Sequence, residues 1–205
     1  MLIEATDAHF AALLAGESPE GLAVAEGGVE APEVLAMLRG LSAQVGESFH
    51  PNAWMIVEDG EVVGLTSLVR TPYVGDTVMI GYGVAASRRQ RGIARRAVAD
   101  LLAWARGDHR VKTVTAETSI HNGPSQRVLE ANGFERTGER TDEEDDERWR
   151  WRPEKVGDRR GRPSPRSSSE VGAQWAAATS DAAGVLATCT GLQSASCASD
   201  RVTPR

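Results

Sequence analysis

The sequence predicts an α/β (α+β) domain in which one sheet carries helices on both faces. Three observations point to it. Two apolar, β-branched runs flank Asp59-Gly60, a dipeptide suited to a tight hairpin. An amphipathic stretch over Ala94–Arg106 lies between strand-like Val78–Val84 and Val111–Thr118. A second, shorter helical stretch is followed by further strand candidates, and elements in this order bury their apolar sides by packing helices on a sheet.

Each element has a local reason. Ala8–Leu14 and Pro32–Val45 read as helices; the second opens with Pro in its first turn and stops before Gly46. Trp54–Glu58 and Glu61–Val69 are the two arms of the hairpin, and Val78–Val84 is the next strand. Ala94, Ala97, Val98, Leu101, Leu102 and Ala105 recur at the spacing of one helix face, and Gly107 is a fitting stop. Val111–Thr118 returns as a strand rich in Val and Thr. Ser125–Ala131 is a short helix ended by Gly133, Phe134 opens another strand, and Arg148–Arg152 alternates like a last one.

Composition bounds the function. The chain has 205 residues with 40% apolar, enough for a packed core, and no run approaches the ~18 apolar residues of a spanning helix. The first 38 residues carry no Lys or Arg, so no leader with a basic head is expected. With 23 basic and 29 acidic residues the net charge is −6, which argues against a general nucleic-acid binder. The two cysteines, Cys189 and Cys197, have no His or Cys partners at metal spacing and make no disulfide scaffold. A soluble, cytoplasmic protein with no bound metal, no membrane partner and no nucleic-acid partner is expected, as a monomer or homodimer.

Composition changes near Pro153. Residues 153–205 hold eight Ser and nine Ala but only six of Val, Leu and Ile. Such a segment cannot offset an ordering entropy of ~1–2 kcal/mol per residue. The expectation is an acidic domain over 1–152 and a disordered Ser/Ala/Pro/Arg-rich tail over 153–205. The six acids Asp142–Glu147 read as a turn between the last two strands.

The chemistry concentrates in Ser87–Arg96. Arg88, Arg89, Arg91, Arg95 and Arg96 crowd nine positions between a strand and a helix, with Gly92 at the turn. The first amides of a helix lack internal partners and sit at its positive end, so they attract anions. Gly92 lets the backbone approach a phosphate, and guanidiniums can grip further oxygens. The bland alternative is a solvated basic helix start, which opposes the dipole. The Gly-Lys-Ser/Thr ending of a P-loop is missing.

The run Val84–Ala94 resembles the acetyl-CoA pyrophosphate loop of the GNAT N-acetyltransferase superfamily. Arg89, Gly92 and Ala94 fill that family's pattern. Asn122-Gly123-Pro124-Ser125, then Val128-Leu129-Glu130 and Asn132-Gly133-Phe134, are similar to the ending of the branch that includes ribosomal-protein N-terminal acetyltransferases and small-amine acetyltransferases. Ile80-Gly81-Tyr82 resembles its fourth strand, and the matches run from about Trp54 to Phe134 in order.

The resemblance implies a mixed, largely antiparallel sheet splayed between the family's fourth and fifth strands. It implies acetyl-CoA as acyl donor and a primary amine, of a small molecule or a protein N-terminus, attacking the thioester directly. The pantetheine arm would lie along the backbone of Gly83 to Ala85, with an amide of Val84 or Ala85 receiving the oxyanion. The pyrophosphate would rest on amides of Gln90, Arg91, Gly92, Ile93 and Ala94, helped by Arg89 or Arg91. Arg88, Arg95 or Arg96 would reach the 3′-phosphate. Asn122 would hold the pantetheine arm and Ser125 would stand near the sulfur; capping of a helix is the plain alternative for both.

The base is where the chain departs from the pattern. The family often places an acid just before Ile-Gly-Tyr, and here Met79 stands there. Glu117 is the replacement: it comes late in its strand, on the face of Thr113 and Thr115, just before the site loop. An exposed or a salt-bridged acid is its alternative reading. Tyr82 is an acid candidate or, more simply, a core aromatic, and His121, beside Asn122, either lines the acceptor side or is a solvated loop residue. Met79 also leaves open a second function, a catalytically degenerate CoA-binding regulatory module.

Overall fold

The computed structural model describes residues 1–70, 76–141 and 147–153. The tail beyond Pro153 and most of the acidic run at 142–146 lie outside the described residues. Twelve helices and strands follow in order: β1 Leu2–Glu4, α1 Asp7–Ala15, β2 Ala23–Val24, α2 Pro32–Gly46, β3 Ala53–Glu58, β4 Glu61–Arg70, β5 Thr77–Val84, α3 Ile93–Gly107, β6 Thr113–Ser119, α4 Gly123–Glu130, β7 Phe134–Thr141 and β8 Glu147–Pro153. The predicted elements are present, with ends shifted by one or two residues. β1 and β2 were not foreseen, being only three and two residues long.

The strands form one sheet in the order β1-β3-β4-β5-β6-β8-β7, with β2 beside β4. All pairs on the main path are antiparallel except β5 with β6. Asp59 and Gly60 both take positive φ, 49° and 78°, as the turn of a two-residue hairpin requires.

Alternation assigns the faces. Ala53, Met55, Val57 and Leu65 point to one side and pack with Phe10 and Leu13 of α1 and Val34, Leu35 and Leu38 of α2. Ile56 and Val63 point to the other and meet Ile93 and Ala97 of α3. There Trp54 also lies edge-on to Trp104, centroids 4.8 Å apart. Val98, Leu101 and Leu102 of α3 and Leu129 of α4 are at most 2% exposed, and each such side chain contributes about 1.5–3 kcal/mol by leaving water. The Trp151 indole, buried on the same side, donates to Thr118 Oγ1 at 2.8 Å and so carries no unmet N–H.

The sheet parts in its middle. β5 and β6 pair only from Thr77↔Thr113 to Ile80↔Ala116. Past that point β5 stays with β4 through Val84, while β6 runs on beside β8, from Ala116↔Trp151 to Ser119↔Arg148. The expected splay is therefore present, between the fifth and sixth strands in chain order, because the short β2 adds one to the count.

Candidate active site

A cleft of about 560 Å³ opens where the sheet parts. β5 supplies Tyr82, Gly83 and Val84 to its wall; α4 faces them with Asn122, Pro124 and Ser125; the turn before α3 closes one end with Gln90, Gly92 and Ile93.

Strand geometry decides which backbone groups face the gap. The Ala85 amide donates to Val63 O at 2.9 Å, within the sheet. Neighbouring residues of a strand point their amides to opposite sides, so the Val84 N–H turns away from β4 and toward the gap. Of the two amides expected to receive an oxyanion, only Val84's is so placed. Ala85 is 1% exposed, its amide is committed to β4, and it does not line the cleft.

The turn is built by two left-handed residues. Gln90 has φ 63° and Gly92, the N-cap of α3, has φ 71°. No side chain caps α3. Its first amides, from Ile93 onward, are outside the helix's own ladder, and Ile93, Ala94 and Arg95 line the cleft. This is an anion-seeking surface made of backbone.

The arginines divide. Arg88 grips Glu61 with both ends, Nε to Oε2 at 2.7 Å and Nη2 to Oε1 at 2.8 Å, and this hydrogen bond holds the Glu61 carboxyl below its usual range. Arg96 binds Glu58 through Nε at 3.1 Å and through a second, shorter contact, and its Nη1 donates to Arg91 O at 3.0 Å. Two of the five thus tie the loop to the β3–β4 hairpin. Arg89 Nε donates to Val84 O at 3.1 Å, and Arg89 and Arg95 line the cleft. Arg91 and Arg96 do not line it. Arg127 of α4 does, and sequence reasoning missed it; its signal was an arginine one helical turn beyond Gly123.

Asn122 both caps α4 and lines the cleft. Its Oδ1 accepts from the Ser125 amide at 3.1 Å, so the capping reading holds whatever else it does. Ser125 meets Tyr82: the two hydroxyl oxygens are 2.8 Å apart, and the Tyr82 hydroxyl lies 3.1 Å from the Ser125 carbonyl oxygen. Tyr82 is thus more than the core aromatic expected. Its ring packs against the core while its hydroxyl reaches the cleft. Burial raises its pKa, the Ser125 hydrogen bond only partly opposing, so it stays a proton donor at neutral pH.

Glu117 stands elsewhere. It lies on β6 opposite Arg150 of β8, with Arg150 Nε 3.4 Å from its Oε1, and it does not line the cleft. Its side chain is 4% exposed. The salt-bridged reading describes it. His121 is exposed and also off the cleft, and its amide donates to Ser119 Oγ at 3.2 Å. Met79 is buried in the core.

A second lining residue, like Arg127, had no part in the sequence reading. Glu30, just before α2, reaches over Gly83, and a Cβ built on Gly83 would collide with Glu30 Oε1.

A sheet split along its parallel pair, with an Arg-rich glycine turn facing the split, is an acetyltransferase fold. The acetyltransferase (GNAT) domain family matches residues 1–135. The chain belongs to the GNAT acetyltransferase family. It is 32% identical over 85 residues to YjdG of Bacillus subtilis (strain 168), whose name is that of an N-acetyltransferase; the match covers 40% of this chain and 51% of that protein. The chain thus spans about half the length of that relative. A chimera of Vibrio cholerae spermidine N-acetyltransferase SpeG with hSSAT superposes with a TM-score of 0.57 at 13% identity, over 75% of this chain and 93% of that one. Ribosomal-protein-alanine N-acetyltransferase from Brucella melitensis gives 0.51 at 21%, over 74% and 98%. At these identities the two structures speak for the fold. Among the described residues no helix is long and apolar enough to cross a membrane.

Proposed function

We propose that the chain transfers an acetyl group from acetyl-CoA to a primary amine by direct attack of the amine on the thioester. The observation that carries this reading is the cleft in the parted sheet, with an unladdered helix start at one end and the Tyr82–Ser125 hydroxyl pair beside Val84 in its wall.

Residues take roles from their placement. Amides from Gln90 to Ala94 hold the pyrophosphate. Arg89, Arg95 and Arg127 supply side-chain grip on the phosphates. Asn122 and the β5 edge at Gly83 and Val84 guide the pantetheine arm. The Val84 amide receives the oxyanion that forms as the nitrogen adds to the carbonyl carbon. When the C–S bond breaks, its electron pair goes to sulfur, and the Ser125–Tyr82 pair donates a hydrogen bond there. Glu117, paired with Arg150 outside the cleft, has a structural role in this reading.

Ser125→Ala is expected to lower turnover about 10-fold, since Tyr82 keeps one hydroxyl in place, while leaving the calorimetric affinity for acetyl-CoA within ~2-fold. Full turnover in the variant would remove Ser125 from the mechanism. Acetyl-CoA-dependent thiol release with a panel of amines tests the reading as a whole. Tight CoA binding with no release for any amine would favour the regulatory alternative that Met79 raised.

We assign this activity to residues 1–152. A chain ending at Lys155 is expected to keep its melting temperature and its acetyl-CoA affinity. Loss of folding on that truncation would make the tail part of the domain.

A further inference from the structure

We infer that Glu30 receives the acceptor: its carboxylate holds the substrate's ammonium at the parted sheet and takes its proton, so the acceptor is an aliphatic amine that arrives charged. This rests on the acetyl-transfer reading above.

The two faces of β5 are chemically different. Tyr82 pairs with Thr66 and turns toward α4, where it meets Ser125. Gly83 pairs with Leu65, a residue packed with α1 and α2, so it faces the opposite side of the sheet. Glu30 stands over Gly83 on that opposite side. Among the described residues the lining holds four arginines, Arg88, Arg89, Arg95 and Arg127, and one carboxylate, Glu30. The arginines come from the turn, α3 and α4. A carboxylate is the wrong charge for a donor that is a polyanion, and the right charge for a cation reaching the same point from the α2 side. Because β5 and β6 separate after Ile80, the two sides meet at Gly83–Val84, beside the proposed oxyanion amide.

The chain holds Glu30 there by ordinary means. Ala25 N donates to Val62 O at 3.0 Å, and Val29 is 3% exposed in the α1–α2 core. Ser87 Oγ donates to Glu26 O at 2.7 Å, which links the segment before Glu30 to the phosphate-binding turn. Gly83 completes the arrangement, because any side chain there would push the carboxylate aside.

The proton count closes. An aliphatic ammonium has a pKa near ~10 and cannot attack until deprotonated. One N–H proton passes to the Glu30 carboxylate. The freed nitrogen lone pair forms the C–N bond, and the C–S bond then breaks. The nitrogen sheds a second proton as the amide forms. Of the two protons, one ends on the CoA sulfur through the hydroxyl pair, and the other leaves Glu30 for solvent.

The test uses the full chain with two small acceptors, methylamine, cationic at neutral pH, and hydroxylamine, mostly neutral there. With Glu30→Gln, kcat/KM for methylamine is expected to fall about 100-fold and that for hydroxylamine far less, with acetyl-CoA affinity by calorimetry unchanged. Glu30→Asp should recover part of the loss. Should Glu30→Gln fail to fold, Gly83→Ala, which displaces the carboxylate, should give the same preference for the neutral amine. An equal loss with both acceptors, or no loss with methylamine, overturns the role of Glu30 and leaves the acetyl-transfer reading standing. Wild-type protein that binds no acetyl-CoA, or releases no thiol with either amine, overturns that reading and the inference with it.

Discussion

Gly92→Asp is expected to weaken acetyl-CoA binding by about three powers of ten while leaving the fold intact. Gly92 sits at φ 71° as the N-cap of α3, and a Cβ there would stand 3.2 Å from Arg96 Nη1. Aspartate tolerates the left-handed region better than most side chains, at a cost of roughly 1–2 kcal/mol at one position, so the helix survives. The added charge is the larger effect. Two unit charges ~4 Å apart near a protein surface interact by about 4 kcal/mol, and every ~1.4 kcal/mol is tenfold in affinity. Here the interaction is repulsion of the pyrophosphate. Calorimetry should show binding lost, with the circular dichroism spectrum unchanged. Unaltered affinity would place the donor somewhere other than this turn.

Leu129→Ala tests a different link, from packing to site. Leu129 is 0% exposed and anchors α4 in the main core. That helix carries Asn122 at its cap and Ser125 in its first turns. Truncation removes buried methyl groups and leaves a cavity, at a cost of about 2–5 kcal/mol. In a domain of this size that is roughly a 10 °C fall in Tm, a large share of a stability of ~5–15 kcal/mol. Because α4 forms one wall of the cleft, thiol release should fall too. A melting temperature within 2 °C of wild type would mean that α4 is held by its cap and not by this side chain.

The long elements were legible because each repeats a local pattern. α3 declared itself by six apolar residues at helical spacing, and the β3–β4 hairpin by Asp59-Gly60 between apolar runs. The turn around Gly92 was legible for the same reason, since arginines at a helix start oppose the dipole and call for an explanation. β1 and β2 were not, because two or three residues hold no period.

The finer site depended on contacts distant in sequence. Nothing in the run Ser87–Arg96 says that Arg88 and Arg96 turn back to Glu61 and Glu58, 27 and 38 residues earlier. Glu117 read as a late-strand acid until the β6–β8 register set it opposite Arg150. Glu30 was invisible because its partner, Gly83, belongs to another strand, and a glycine shows in sequence only that something comes close. Tyr82 was half legible: strand position placed the ring, but only the α4 fold-back supplied Ser125 for its hydroxyl.

The two hairpin acids bear on the economy of recognition at the phosphate turn. A long cationic side chain that closes on a phosphate gives up rotamer freedom at that moment, about 0.5–1.5 kcal/mol each. Arg88 and Arg96 have surrendered theirs during folding, to Glu61 and Glu58. On the acetyl-transfer reading, the turn is therefore already shaped before any donor arrives, and its grip is expected to owe more to oriented amides than to Arg88 and Arg96. Counterions should then have less to do with affinity than five arginines would suggest, and the acids of the β3–β4 hairpin would act on a ligand they never touch.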